Sequence, residues 1–527
     1  MAGKNILLIE PSYKNKYPPL GLMKIAQYHG PRGKCDNVTF IKGEDKKVLD
    51  TCWDRIYVTT LFSFEWKRIS QAIDFAVEAS GGQHQNIFVG GIAASLMHEE
   101  FLKETRWRGI RVIKGLLNTP PATSLQLDSF EEELYSDDTG GQPIEDLIPD
   151  YSILDQISYR YPVTDAYFTY ASRGCIRKCS FCGVPKLEGD LYETPSLSSV
   201  VQGIENLYGP KKDLILMDNN VVASPRFKEI IAEIRDLGFT AGAKLKRGRI
   251  PIQRRVDFNQ GVDARILCRD PVFLRELSTI CIQPLRIAFD HIGLRRPYET
   301  AIRYAHAVGL KELSNYMLYN FHDSPADLYR RMLMNIELNE ELNIRIFSFP
   351  MRYQPTNMKD RSFIGEKWNR YYLRSMQIIL QATRGIVSGA PAFFRRAFGS
   401  TEQEFENLLM RPGKFIFNRD WFEQLGGRDE FDEYLAVLKT CSPADIADLK
   451  SLLVDFENVY FEAKRKTISN RKVARLWDYY RPLSDREEED IWRRQRELQQ
   501  GLTKRNCELP DDERVEDAGL DIEPVLN

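Results

Sequence analysis

Cysteine is scarce in this chain: nine residues in 527, an odd number. That excludes a disulfide framework, which needs a dense and even set. Long apolar runs are missing too. Nothing approaches the roughly 18 apolar residues of a membrane span. The early run Ile6-Leu7-Leu8-Ile9 is too short for a signal-peptide core. The chain is therefore expected in the cytoplasm, with free thiols and no membrane partner. Neither sign of charge dominates, with 73 Lys and Arg against 75 Asp and Glu and a net charge of −2. No global field gathers nucleic acid or anionic lipid. With 43% hydrophobic and 28% charged residues the composition is that of an ordinary globular chain, long enough for two to four domains.

Against that scarcity, three cysteines fall within eight residues, in Arg173-Gly174-Cys175-Ile176-Arg177-Lys178-Cys179-Ser180-Phe181-Cys182. The other six, Cys35, Cys52, Cys268, Cys281, Cys441 and Cys507, are scattered singly. A structural zinc site would want a second close pair. Three thiolates on one loop suit three corners of an iron–sulfur cube and leave the fourth iron open to a substrate or cofactor. A simple electron carrier closes its cluster with four cysteines.

Apolar runs alternate with helical periodicity twice along the chain. In residues 1–118, strands are expected at 5–9, 38–41, 55–60, 86–89 and 110–113, with helices at 65–79 and 97–105. This is the pattern of a doubly wound parallel sheet, whose ligands sit at the carboxyl ends of strands. Residues 119–150 are rich in Pro, Thr, Ser and acid and read as a linker. In residues 151–355, strands are expected at 166–172, 214–218, 256–260, 285–289, 316–319 and 344–349, with helices between them. Six such units make a partial (β/α)6 barrel, and the cysteine loop directly follows its first strand. Residues 356–506 read as a helical domain, with helices at 368–382, 391–397, 401–409, 429–438, 443–462 and 484–500. The acidic stretch 507–527 reads as disordered. The fold class is thus α/β with a C-terminal helical domain.

The cysteine spacing, with Phe181 before the last cysteine, resembles the signature of the radical S-adenosylmethionine (SAM) superfamily. The Pro18-Pro19-Leu20-Gly21-Leu22 loop and Gly90-Gly91 resemble the cobalamin-binding-like domain that precedes many such cores. The resemblance implies a 4Fe–4S cluster on Cys175, Cys179 and Cys182 and SAM on the open iron. It implies reductive cleavage of SAM to start radical chemistry on a substrate, with an external electron donor such as flavodoxin or ferredoxin. It makes cobalamin a candidate cofactor and cobalamin-dependent methyl transfer a candidate reaction. Two departures stand out. The Asp-x-His-x-x-Gly motif that supplies a lower axial histidine is absent, and so is the Gly-Glu-Gly-Glu-like element after the last strand of the first sheet. His29, His84 and His98 read as surface or packing residues.

Further expectations concern the strand ends of the core. Asp218, Asn219 and Asn220 end the second strand, where the family places SAM-binding groups; a turn or helix cap also favours these residues. Gln260 ends the third strand and Asp263 and Arg265 follow it; Arg265 could pair the SAM carboxylate, the rival being an internal ion pair, Asp263–Arg265 or Asp257–Arg255. Asp290 and Asn320 end the fourth and fifth strands, as candidates for adenine or substrate contact. His291 and His322 could move protons, and Arg352 could meet an anionic substrate. The acid-free run Lys244, Lys246, Arg247, Arg249, Arg254 and Arg255 reads as a solvated basic loop, with an RNA or phosphate contact as the rival reading. No catalytic residue is assigned. The rival functions are a methylthiotransferase-like RNA modification and a non-enzymatic iron–sulfur redox protein.

Overall fold

In a computed structural model, which describes residues 3–117, 143–454, 456 and 460–507, the chain forms two compact units. The first comprises Met1–Trp368 with Gly385–Arg396, and the second Asn369–Arg384 with Ala397–Asn527. The expected linker lies outside the described residues as far as residue 142, and the expected tail lies outside them beyond Cys507. Residues 143–150 are fixed in place: Ile144 is buried, and the Lys24 ammonium reaches both the backbone and the carboxylate of Glu145.

The first unit opens with a five-stranded parallel sheet made of β1 (Asn5–Glu10), β2 (Asn37–Lys42), β3 (Arg55–Thr60), β4 (Ile87–Gly91) and β5 (Arg111–Val112). Their order is β2-β1-β3-β4-β5. Ile6, Leu7, Leu8 and Ile9 have no exposed surface. A central parallel strand covered on both faces reads as a continuous apolar run for that reason. The chain order reverses between β1 and β3, which places a ligand crevice beyond their carboxyl ends. Gly91 sits there with φ of +103°, and a Cβ on it would lie 2.4 Å from the Thr60 carbonyl oxygen. Only glycine fits that approach.

The same unit continues with the second set of strands. β6 (Ala166–Thr169) is followed by the short β7 (Ser172–Arg173) and β8 (Tyr192–Glu193), which pair with each other antiparallel. Then come β9 (Asp213–Leu216), the antiparallel pair β10 (Lys244–Leu245) and β11 (Ile252–Gln253), and β12 (Arg255–Phe258), β13 (Leu285–Arg286), β14 (Glu312–Tyr319) and β15 (Arg345–Arg352). β6, β9 and β12 pair in parallel, as do β13, β14 and β15. Parallel bridges from Val256 to Ile282 and from Val262 to Ile287 join the two sets. The six main strands are therefore neighbours in chain order, with Leu197–Tyr208, Phe227–Asp236, Val272–Leu277, Arg295–Ala307 and Pro325–Leu342 as the intervening helices. The last of these begins with a capping box between Ser324 and Asp327, has Pro at its start, and ends at Asn343 in the left-handed conformation. Each device satisfies or removes an orphan backbone group.

Three expectations change. The strand expected over 285–289 is regular only at Leu285–Arg286; beyond it Ile287 bridges Val262 on one side while its N–H still donates to the Ser314 carbonyl of β14 at 2.9 Å. The basic loop is a hairpin, β10–β11, held by Arg254, whose guanidinium stacks 3.6 Å from the Phe239 ring centroid and donates to the carbonyls of Leu237, Gly238 and Lys211. The helix expected over 443–462 is two helices, Pro443–Val454 and Phe461–Thr467.

Among its described residues the second unit is helical throughout. Its core is aromatic: Tyr371, Phe415, Tyr434, Phe456, Trp477 and Tyr480 are buried. The polar ends of these rings find partners, Tyr480 donating to the Met410 carbonyl at 2.6 Å and Tyr371 to that of Arg411 at 2.9 Å. Buried tyrosines require such bonds.

Candidate functional site

The cysteine loop begins where β6 ends. The Asp218 carboxylate, beyond the end of the neighbouring β9, accepts from the backbone N–H of Ala171 at 3.0 Å and of Ser172 at 2.5 Å, and from the Ser172 hydroxyl at 2.7 Å. Burial pushes its pKa up to about 6 against the pull of those donors. The turned chain then pairs as β7 with β8, which closes the two ends of the loop on each other. Gly174 follows at φ of +73°, and a Cβ there would sit 2.1 Å from the Asp190 carbonyl oxygen.

Cys175, Cys179 and Cys182 lie on this loop, all partly buried and none in a disulfide. The Arg177 N–H points at the Cys175 sulfur at 3.3 Å and the Val184 N–H at the Cys182 sulfur at 3.4 Å. The thiols are near enough that Cys182 feels both Cys175 and Cys179, and Cys179 feels Cys175. Burial raises both thiol pKa values; Arg265 opposes the rise at Cys179, and the Val184 N–H opposes it at Cys182. Among the described residues no group of three His, Cys, Asp or Glu side chains converges on a single ion. A cube places each thiolate on a different iron, so its ligands stand apart where those of one ion converge. Grouped thiols with backbone N–H donors on sulfur fit such a cluster, whose potential those bonds tune.

Across from the loop, Asp263 receives the Arg177 Nε at 2.7 Å, and the Arg265 backbone N–H at 2.9 Å and Nε at 2.8 Å. Burial works against its charge, yet these bonds hold its pKa below the usual carboxylate range. The Arg265 charge also acts on the Cys179 thiol. The Asn220 side-chain oxygen accepts from the Asp263 N–H at 3.3 Å. Asp290 faces the same loop, its charge acting on both Cys179 and Cys182, with its pKa pushed by burial up to about 6. The fold thus gathers the three cysteines, Asn220, Asp263, Arg265 and Asp290 at the carboxyl ends of the second strand set.

Other expected residues are placed differently. Asp218 is turned into the protein, onto the backbone that launches the loop. Asn219 donates to Glu188 at 2.8 Å. Asn320, fully buried at φ of +67°, donates to the carbonyls of Tyr353 and Phe363 and accepts from the Gly365 N–H at 2.8 Å. Its amide fastens the segment after β15. Gln260, His291 and His322 are exposed. Arg352 likewise reaches the carbonyls of Arg361 and Phe363.

Sequence reasoning missed several residues. Glu188 binds Arg173, Gly174 and Asn219. Glu145 bridges Lys24 and Arg173. Arg331, with no exposed surface, donates to the carbonyls of Phe289, Asp290 and Leu318 and to Asp323, fixing the ends of two strands. Arg331 shares a stripe of its helix with Asn335 and Asn339, four and eight residues on and also buried, so polar residues at helical spacing were the available signal. Beside the loop, the Phe321 ring lies 5.8 Å from Phe181 and 4.6 Å from Tyr353.

The histidines of the first sheet are engaged: His29 with Asp36 and Tyr57, His84 with the Arg108 carbonyl, His98 with the Val112 carbonyl. No helix among the described residues is long and apolar enough to cross a membrane.

No family profile and no curated protein sequence matches this chain. Solved structures do. The radical S-adenosylmethionine methyltransferase TsrM from Kitasatospora setae, with cobalamin and a 4Fe–4S cluster bound, is 16% identical over 68% of this chain and 74% of its own, with a TM-score of 0.43. The same enzyme with tryptophan substrate and the SAM analogue aza-SAM is 14% identical over 78% of this chain and 90% of its own, with a TM-score of 0.43. The apo form of OxsB, a cobalamin-dependent S-adenosylmethionine radical enzyme, is 13% identical over 97% of this chain and 82% of its own, with a TM-score of 0.42.

Proposed function

We propose that this chain is a radical SAM enzyme that holds a 4Fe–4S cluster on Cys175, Cys179 and Cys182. The observation that carries the reading is the cysteine loop itself. Its three thiols are grouped, bonded by backbone N–H groups, and launched from the carboxyl end of the first of six parallel strands. A cluster and SAM bound there would supply the reductive cleavage of a carbon–sulfur bond. The chain's own groups have separate tasks. Asp263 holds Arg177 and Arg265, so that a guanidinium stands beside Cys179, placed to pair a carboxylate. Asp290 supplies the opposite charge on the same face, suited to an ammonium group. Phe181, Phe321 and Tyr353, all half-buried, form an aromatic wall on that side.

A cobalamin-dependent reaction is the finer reading. It is favoured by the apolar rim at the carboxyl edge of the first sheet, where Phe62 is 37% and Ile92 41% exposed beside Gly91. With all three histidines of that sheet engaged, cobalamin there would bind without an imidazole below cobalt. Retention of hydroxocobalamin absorbance through gel filtration tests this reading, and loss of the absorbance rejects it.

The cluster itself is tested by anaerobic reconstitution with iron and sulfide. About four irons per chain are expected, and none after Cys175, Cys179 and Cys182 are all replaced by Ala. Adding SAM should change the cluster spectrum, and supplying a one-electron reductant such as dithionite as well should yield 5′-deoxyadenosine and methionine. Full iron in the triple variant rejects the reading, and an unchanged spectrum leaves an iron–sulfur redox protein.

A further inference from the structure

The cysteine loop is closed at its base by a carboxylate that neither the cluster nor SAM needs as a ligand. Glu188 accepts from Arg173 Nη2 at 2.9 Å, from the Gly174 N–H at 2.7 Å and from Asn219 Nδ2 at 2.8 Å. Its side chain is only 9% exposed. The Cys175 N–H donates to the Gly189 carbonyl at 3.3 Å beside it. Arg173 is held in turn by Glu145, and its guanidinium lies 4.3 Å from the Tyr170 ring centroid. The loop leaves at Gly174 and returns at Glu188, and protein groups alone bind those two ends together. Asn219 ties the closure to the residues that follow β9.

We propose that Glu188 is the positioning residue of this loop: it orders residues 174–188 before the cluster arrives, so that Cys175, Cys179 and Cys182 meet the cluster as one preformed set. The inference rests on the reading that these cysteines hold a cluster. A loop already ordered does not take its ordering entropy from ligand binding. Partners one shell beyond the metal ligands typically change metal affinity 10- to 100-fold when lost. Glutamine is the sharp substitution at Glu188. It keeps the shape but turns an amide NH2 toward donors, where a second acceptor oxygen stood.

The experiment uses the full chain, wild type, Glu188→Gln and Asn219→Ala, with two readouts. In the first, reconstituted protein is mixed anaerobically with EDTA and the cluster absorbance is followed. Cluster loss should be about 10- to 100-fold faster in Glu188→Gln and less accelerated in Asn219→Ala, which removes one of the three bonds. In the second, the iron-free chains react with iodoacetamide and mass spectrometry reads the alkylation rate at Cys175, Cys179 and Cys182. That rate should rise in Glu188→Gln and hold steady at Cys441. Release and alkylation at wild-type rates overturn the proposal. So does failure of Glu188→Gln to fold, which would make Glu188 part of the core and not of the loop. If wild-type chain takes up no iron, the cluster reading falls by itself, and the alkylation readout still decides whether Glu188 orders the loop.

Discussion

Arg177, in the middle of the cysteine loop, and Asp263, just beyond β12, stand 86 residues apart in sequence and meet at 2.7 Å. The same carboxylate holds Arg265. One acid thereby sets the distance between the loop and the opposite wall of the site. Replacing Asp263 by Ala should release both arginines. Because the two guanidinium groups are partly exposed, solvent takes up much of the loss, and a stability change of about 1–2 kcal/mol is expected in urea titration. SAM affinity should fall further, because Arg265 loses its orientation. Unchanged SAM affinity in the variant would show that Arg265 orients itself.

Arg331 is the harder case. It is fully buried and bonds four carbonyls and the Asp323 carboxylate, 3.0 Å away. Arg331→Met fills the space but leaves those acceptors and a buried charge without partners. A loss of about 3–5 kcal/mol is expected. Chemical denaturation measures it; a loss below about 1 kcal/mol would mean that water replaces the guanidinium.

The first sheet should carry a pH signature of its own. His29 is 1% exposed between Asp36, at 2.7 Å, and the Tyr57 hydroxyl, at 3.0 Å. Burial lowers its pKa below the ordinary 6.5, although Asp36 pulls the other way. The unfolded chain therefore takes up a proton near pH 6.5 that the folded chain refuses. The stability this histidine contributes is complete above pH 6.5 and is lost as pH falls toward its folded pKa, at up to about 1.4 kcal/mol per pH unit. Thermal melting at pH 7.5 and 5.5 should show a smaller drop in His29→Gln than in wild type. Equal drops would assign the dependence to other groups.

Gln354 follows β15, and among the described residues neither its side-chain nitrogen nor its oxygen, both buried, has a hydrogen-bond partner. Leaving such groups unpaired costs about 1–3 kcal/mol, whereas an apolar side chain of similar size removes the penalty. Gln354→Leu should therefore melt at or above the wild-type temperature. A clear fall would mean that the amide does useful bonding.

Much of this was legible in the sequence. β3 runs over residues 55–60 as its apolar pattern predicts, and the cysteine spacing marked its loop without help from the rest of the chain. The partners of that loop were not legible. Glu188 belongs to no spacing pattern, because a hydrogen bond across the neck of a loop leaves no periodicity. Asp218 and Asn320 were visible as polar residues at strand ends, but a strand-end acid can face a ligand or its own backbone, and the two choices look alike in one dimension. Gln260 shows the same ambiguity resolved toward solvent. The hairpin β10–β11 escaped because two-residue strands carry no alternation to read.

That hairpin has a practical use. It precedes β12 and so projects from the amino-terminal edge of the strands, at the opposite end from the cysteine loop. Arg254 roots it in the protein, and Ile250 near its tip is 79% exposed beside Gly248 at φ of +79°. A short affinity tag or a fluorophore attachment site spliced in there would hang in water, at the sort of exposed turn that accepts insertions. The protein therefore comes with a handle by which it could be purified, immobilised or watched without touching the cysteine loop.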